Sequence, residues 1–255
     1  MIDTNVYLSR WPFRRLRGDH PTELAKILRQ HGITQAWAGS FDALLHRDIE
    51  GVNHRLSDMC KKHGAGLLLP FGTVNPTLPD WQEDLRRCHK IHHMPGIRLH
   101  PNYHGYQLDD PNFAELLKQA AERNLLVQLS LTMEDERTQH PLLQVPHVDC
   151  TPLTAIIKTL PTLRLQLLGA FRSLRAPQVA DLVVAGNVSI EISMLEGVGG
   201  IEQLLKHVPL ENILLGTHSP LFYLDSAIMK LQESPLAQFQ REAIKTINAQ
   251  KLLHK

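Results

Sequence analysis

Residues 163–193 read LRLQLLGAFRSLRAPQVADLVVAGNVSIEIS. The apolar run at 163–168 is typical of a strand, and the run at 188–193 predicts a second one. Between them, residues 176–185 form a helical pattern that Gly186 ends. This unit of strand, helix and strand is the pattern with which the rest of the chain can be compared.

The same alternation continues on both sides of this unit. Further strands are predicted at residues 2–8, 33–40, 67–74, 96–100, 125–131 and 213–217. Further helices are predicted at about 22–31, 42–63, 80–92, 152–160, 201–207, 222–232 and 236–253, and Asp110 with Pro111 opens another. Eight strands, each followed by a helix, in 255 residues have the size and order of a (β/α)8 barrel.

The alternative architecture is an open doubly wound sheet. No glycine-rich phosphate loop follows the first strand, which weakens a nucleotide-binding version of that sheet. The composition has no internal break and no Gly/Ser linker. We therefore predict an α/β fold, a (β/α)8 TIM barrel, with a single domain that spans residues 1–255.

The composition excludes several classes of partner. Lys and Arg number 27 against 26 Asp and Glu, so a formal net charge of +1 attracts neither nucleic acid nor an anionic membrane. Three cysteines at no metal-like spacing favour a reducing compartment. Without an 18-residue apolar run or a signal-peptide pattern, we expect a cytoplasmic protein. The 15 histidines fit either metal ligands or proton carriers.

Active sites of such barrels lie at the carboxyl ends of the strands. Closure of the barrel places the eighth strand beside the first, so we expect His218 to lie near Asn5 and Tyr7. Polar residues at the ends of other strands, or in the loops that follow them, complete the candidate site: Arg98, His100, Tyr103, Gln128, Ser130, Arg137 and Glu191.

A buried arginine in a strand needs a partner, because an unpaired charge is costly away from water. Arg98 is predicted to hold the carboxylate or phosphate of a ligand, with Tyr103 adding a hydroxyl donor. The alternative is a structural Arg98 that pairs with Glu191 or with an acid in the run 134–136. Both interpretations explain the residue equally well.

Two loops are predicted to reach the barrel mouth. Residues 132–151 form a long polar stretch, either a lid that carries Glu134 or Arg137 into the pocket or a solvated segment. The stretch 11–17, WPFRRLR, is predicted to cross the mouth with Trp11 and Phe13 as a wall. Its alternative is an exposed arginine loop with aromatic anchors.

Three segments share a resemblance to one family. They are IDTNVYL at 2–8, NILLGTHSP at 212–220 and INAQKLL at 247–253. Together with the eight-unit order, they resemble the amidohydrolase superfamily, in its amidohydrolase-related (type 2) branch. That branch contains TIM-barrel metal-dependent hydrolases and aromatic-acid decarboxylases, so the resemblance implies the same fold. Related barrels often form homodimers, although no feature here identifies an interface.

The resemblance also shows where this chain departs from the family. The family's metal ligands are histidines in the first, fifth and sixth strands and an aspartate after the eighth. The matching positions in this chain are Asn5, Tyr7, Ser130, Gly169 and His218. A catalytic Zn²⁺ needs three protein ligands drawn from His, Asp, Glu or Cys. We therefore expect a divergent member with no cofactor.

Three functions remain open at this point. The first is a metal-free hydrolase of a small, carboxylate-bearing, lactone-like substrate, with His218 as general base and His100 and Glu191 beside it. The second is an inactive protein that binds a small anion, which a mouth plugged by Trp11, Phe13 or the lid would favour. The third is a metallohydrolase or decarboxylase with a relocated metal on His100, Glu191 and His218.

Overall fold

The computed structural model describes residues 1–254 and confirms the (β/α)8 barrel. The strands are β1 Ile2–Leu8, β2 Gln35–Ser40, β3 Leu68–Pro70, β4 Gly96–Leu99, β5 Leu126–Ser130, β6 Leu165–Leu168, β7 Val188–Glu191 and β8 Ile213–Leu214. The α-helices are α1 Pro21–Gln30, α2 Ile49–Gly64, α3 Trp81–Lys90, α4 Pro101–His104, α5 Pro111–Glu122, α6 Leu153–Thr159, α7 Ala176–Ala185, α8 Gly200–Leu204, α9 Leu224–Glu233, α10 Gln238–Glu242 and α11 Asn248–His254.

The strands are parallel and close into a ring. Hydrogen-bonded pairs run β1-β2-β3 and β4-β5-β6-β7-β8. A parallel bridge between Gly72 and Ile97 joins the segment after β3 to β4, and a bridge between Val6 and Ser219 joins the segment after β8 to β1. Closure brings all the carboxyl ends to one mouth.

The predicted elements differ from the observed ones mainly at their ends. The helix predicted at 42–63 is two elements, a 3-10 turn at Phe41–Leu44 and then α2. The second begins after Asp48, whose carboxylate accepts a hydrogen bond from the amide of Gly51 at 3.0 Å. The helix predicted at 236–253 is α10 and α11, joined by a π-helical turn at Ala243–Ile247.

Three apolar clusters surround the strands. The largest lies between the strands and the helices. A second, with Trp37, Phe71 and Leu126, lies toward the amino ends of the strands and packs against Leu252 of α11. A third, with Tyr7 and Met133, lies at the carboxyl ends. The polar side chains inside the barrel are thus held between two apolar layers.

Within residues 1–254, no helix is both long enough and apolar enough to cross a membrane.

Candidate active site at the carboxyl end of the barrel

A chain of side-chain hydrogen bonds runs around the inside of the barrel. Arg98, Gln128 and Gln166 are register partners on β4, β5 and β6, so their side chains lie at one level. Arg98 Nε donates to Gln128 Oε1 at 2.8 Å, and Gln128 Nε2 donates to Gln166 Oε1 at 2.8 Å. Gln166 Nε2 then donates to the hydroxyl of Thr4 at 2.6 Å. All four residues are fully buried.

Arg98 is satisfied by neutral acceptors. Its two terminal nitrogens donate to the carbonyl oxygens of Val6 at 2.8 Å and Trp37 at 2.9 Å. Its guanidinium carbon lies 4.4 Å from the centre of the Tyr7 ring, a cation–π distance. Gly39 makes room for the group, because a Cβ there would lie 2.8 Å from Arg98 Nη1.

The protein carboxylates expected to pair with Arg98 are therefore not its observed partners. Sequence reasoning placed an anion beside it, either a ligand or a carboxylate from Glu191 or from the run 134–136. The structure instead gives it an amide oxygen, two backbone carbonyls and an aromatic face. The reason is geometric: the guanidinium spans the barrel toward β1 and β2, where carbonyl groups face inward, and these satisfy its donors.

His218 lies beside Asn5, as barrel closure predicts. Its Nδ1 is 2.9 Å from Asn5 Nδ2, and its Nε2 is 2.7 Å from the carbonyl oxygen of Met133. Because the amide can only donate and the carbonyl can only accept, the contacts fit a neutral imidazole that carries its proton on Nε2. Burial lowers the pKa of His218 to about 4, against a smaller opposing effect of the Met133 carbonyl.

Glu191 is held by its own strand end and by the loop after β6. Its Oε1 accepts from the amide of Gly169 at 2.7 Å and from the hydroxyl of Ser193 at 2.9 Å. Its Oε2 accepts from the amide of Ser193 at 2.5 Å. Asn5 Nδ2 approaches Oε1 at 3.4 Å, so Asn5 lies between Glu191 and His218. Both carboxylate oxygens are thus occupied by protein donors.

His100 completes the buried group. Its Nε2 lies 3.2 Å from the hydroxyl of Tyr7, and burial lowers its pKa well below the usual value. Two buried atoms at this level, His100 Nδ1 and Asn5 Oδ1, have no hydrogen-bond partner in the described part of the chain, residues 1–254. The ring of Tyr7 stacks on Phe41 with centroids 4.8 Å apart.

The mouth of the barrel is closed by an apolar plug, which we define as Tyr7, Trp11, Phe41, Leu44, Met133 and Leu221. Trp11 is 2% exposed, and Phe13 and Tyr103 pack against the plug from outside. Ser130 faces it too, with its hydroxyl 3.3 Å from the sulfur of Met133. The predicted crossing of the mouth by Trp11 and Phe13 is observed.

The two loops meet above the plug. Arg14 pairs with the buried carboxylate of Glu134 at 3.1 Å, and the rings of Phe13 and His140 stack with centroids 5.6 Å apart. Arg137 does not enter the barrel: its side chain is 79% exposed and bonds to Asp135. It lines a cavity of about 590 Å³ with Asp135, Arg172 and Glu196, and Tyr103, Met133 and Glu134 line the same cavity.

Sequence reasoning missed the plug and half of the polar chain. The helix predicted at 42–63 includes Leu44 and begins just after Phe41, and Met133 falls in the polar stretch predicted as a lid or a solvated segment, whereas all three residues pack in the plug. Gln166 carried a detectable signal, because it is a polar residue between leucines in a strand that is otherwise apolar.

The side chains present do not fit the divalent metal that the family resemblance implies. A Cβ at Gly169, one expected ligand position, would collide with the carbonyl oxygen of Thr132. The guanidinium of Arg98 lies against Tyr7, a second such position, and its positive charge opposes a metal ion nearby.

The side chains also do not fit a metal relocated to His100, Glu191 and His218. Both ring nitrogens of His218 and both oxygens of Glu191 already have hydrogen-bond partners. Within residues 1–254, no three His, Cys, Asp or Glu side chains are arranged to hold a metal ion.

Comparisons with known proteins agree on the fold. A sequence profile described as amidohydrolase matches residues 7–255. The fold is shared with a 5-carboxyvanillate decarboxylase from Sphingomonas paucimobilis, which is 11% identical with a TM-score of 0.75 over 100% of this chain and 98% of that one.

Two further solved structures are similar. A 2,6-dihydroxybenzoate decarboxylase from Rhizobium is 14% identical with a TM-score of 0.71 over 99% of this chain and 98% of that one. A dihydroxybenzoic acid decarboxylase from Polaromonas sp. JS666, solved with manganese and 2-nitroresorcinol, is 13% identical with a TM-score of 0.71 over 99% and 96%. At these identities the likeness shows the fold alone. No curated protein matches the chain.

Proposed function

Because the chain belongs to the amidohydrolase family, we propose that it is a member that binds a small anion without catalysing a reaction, its barrel centre having become a structural core. The observation that carries this proposal is the state of His218. Its ring is fully buried and both nitrogens are bonded within the chain, at 2.9 Å to Asn5 and 2.7 Å to Met133.

A general base works best when its pKa lies near the operating pH and a lone pair faces the substrate. His218 has neither property here. Its pKa is lowered to about 4 by burial, and its unprotonated nitrogen faces the amide of Asn5. The apolar plug also separates the ring from solvent, so a substrate would have to displace Met133 first. These three features argue against general-base catalysis by His218.

A metal-free lactone hydrolase is the second candidate. Two observations favour it: His100 Nδ1 and Asn5 Oδ1 are buried without partners, and Arg14 and Glu134 form one ion pair between the two covering loops. With the 132–151 loop displaced, His218 could take a proton from water. The hydroxide would add to the lactone carbonyl, the ring C–O bond would break, and His218 would return the proton to the departing alkoxide.

The test separates the two candidates by turnover. Purified protein would be assayed for ring opening of carboxylate-bearing γ- and δ-lactones and for decarboxylation of hydroxybenzoates, with and without added Zn²⁺ or Mn²⁺. We expect wild type and His218→Asn to show the same background rate. His218→Asn is the matched control because residue 218 has a φ of 59°, a conformation that asparagine tolerates. Turnover that wild type shows and the variant loses would overturn the proposal.

A binding assay tests the other half of the proposal. The same protein would be heated with millimolar concentrations of short carboxylates and inorganic phosphate. A rise in melting temperature with at least one of these anions is expected, because a ligand that binds only the folded state stabilises it. If no anion raises the melting temperature, the anion-binding role fails.

A further inference from the structure

A cavity of about 400 Å³ lies just outside the barrel mouth. One wall is residues 14–17, which we call the arginine loop, and the other is α1 with the segment that follows His218. Its floor is apolar, with Leu24, Ile27, Leu221 and Phe222. Its volume lies within the range of small-molecule sites, which runs from about 300 to 1,000 Å³.

The polar rim of the cavity carries one cation that has no partner among the residues that the structure describes. Arg14 is paired with Glu134 at 3.1 Å, and Arg15 bonds twice to Asp19. On the opposite side, His31 pairs with Asp225 at 2.9 Å.

Arg17 is the exception. It lines the cavity, is exposed, and forms no ion pair or hydrogen bond with any of residues 1–254. Arg17 is therefore the charged group on this rim that lacks an opposite charge within residues 1–254.

The walls of the cavity are fixed by packing. Gly18, which directly follows the arginine loop, has a φ of 82°, and a Cβ there would lie 3.2 Å from Ile27 and 3.8 Å from Pro220. The carboxylate of Asp19 is buried and also accepts from the amide of Leu16 at 3.4 Å. The backbone that presents Arg17 is thus held against the floor, and a ligand need not order it on binding.

We propose that this cavity binds a small monocarboxylate with an apolar body, the carboxylate on Arg17 and the body on the apolar floor. A guanidinium pairs with a carboxylate through two parallel hydrogen bonds, and the floor gains from removing apolar surface from water. The proposal rests on the anion-binding function above and names its site. A dianion is disfavoured because only one cation is free.

The experiment is a calorimetric titration of the full chain with 4-phenylbutyrate. Its alcohol, 4-phenylbutan-1-ol, keeps the body without the charge, and acetate keeps the charge without the body. We expect 4-phenylbutyrate to bind one per chain and at least ten-fold more tightly than either control.

Three variants locate the site. Arg17→Gln removes the free cation and should weaken 4-phenylbutyrate binding about five- to ten-fold, since a charged hydrogen-bond pair is being lost at an exposed position. Gln30→Glu adds a negative charge to the rim without changing shape and should also weaken it. Arg10→Gln makes the same charge change four residues before the arginine loop, outside the cavity, and should leave the affinity unchanged.

The outcomes separate this proposal from the function on which it rests. If 4-phenylbutyrate does not bind, or binds equally in Arg17→Gln and wild type, this site is wrong. If binding survives Arg17→Gln but is lost in Arg172→Gln, the site moves to the 590 Å³ cavity while anion binding stands. If His218-dependent turnover appears, the proposed function is wrong whatever the titration shows.

Discussion

The barrel centre and the cavity beside it use arginine in opposite ways. Arg98 is fully buried, each of its three guanidinium nitrogens donates to a protein acceptor, and the group lies against the Tyr7 ring. Arg17 is exposed and has no ion-pair or hydrogen-bond partner within residues 1–254. A buried charge needs partners within the chain because leaving it unpaired costs free energy, whereas an exposed charge is solvated by water and remains available to bind a ligand. The polar lining of a barrel is therefore poor evidence for catalysis until its partners are known.

The largest effect on the free energy of unfolding is expected from removing the buried arginine, Arg98. Arg98→Met should cost at least about 3 kcal/mol of unfolding free energy, because it leaves Gln128 and two backbone carbonyls without donors in a closed interior. Urea unfolding monitored by circular dichroism measures it. Arg17→Gln is the matched control and should stay within about 0.5 kcal/mol of wild type. Equal losses in the two variants would contradict the contrast between them.

The pH dependence of stability tests a second buried group at the barrel centre, His218. Burial lowers the pKa of His218 to about 4 in the folded protein, from an ordinary value of 6.5. The unfolded chain therefore takes up the proton first, so this histidine's contribution is fully present above pH 6.5 and is lost as the pH falls toward 4. The stability difference between wild type and His218→Asn should shrink by about 3 kcal/mol over that interval. Urea unfolding at a series of pH values measures it, and a constant difference would contradict a buried neutral imidazole.

Asp3 supplies a control of opposite sign. Burial raises its pKa to about 7 from 3.8, against hydrogen bonds from Thr217 and the amide of Asn5. Its contribution is fully present below pH 3.8 and is lost as the pH rises toward 7, because the unfolded chain loses the proton first. Asp3→Asn should therefore change the pH slope in the direction opposite to His218→Asn. Slopes of the same sign would mean that the two groups do not titrate as their burial requires.

The sequence predicted the barrel well because its signal is repeated. Each strand is a short apolar run and three of the helices end at a glycine, Gly32, Gly64 or Gly186, so an error at one boundary does not change the order. The neighbourhood of Asn5 and His218 followed from closure alone. Those inferences needed only local patterns and one topological rule.

The contacts inside the barrel could not be predicted in the same way. Arg98 reaches the carbonyls of Val6 and Trp37, which are 92 and 61 residues away along the chain. Every residue offers a backbone carbonyl, so no residue type marks these acceptors in a sequence. The plug could not be predicted for a related reason. Met133 lies in a stretch of charged residues, and only the path of the loop turns its side chain inward.

A smaller effect is expected at the rim, where the two loops meet. A double-mutant cycle of Arg14→Gln and Glu134→Gln should give a coupling energy of about 0.5–1 kcal/mol, because the arginine end of the pair is 44% exposed and screened by water. The pair Arg86 and Glu83, exposed at both ends, is the control and should couple less. Coupling above about 3 kcal/mol would mean that the rim is as closed as the barrel centre.

The smallest effect is expected from metal ions. A metal that binds only the folded state, at a free concentration 100 times its dissociation constant, would stabilise the fold by about 2.7 kcal/mol. The atoms of His218 and Glu191 that would bind the metal would first have to leave their present hydrogen-bond partners, and Arg98 would repel the ion. Both effects oppose the gain in stability.

Added Zn²⁺ or Mn²⁺, and equally a chelator, should therefore leave the melting temperature of the wild type unchanged. A metal-dependent rise that disappears in His218→Asn would show that the barrel centre rearranges to admit an ion. The contrast between a closed centre and an open rim would then fail at its strongest point.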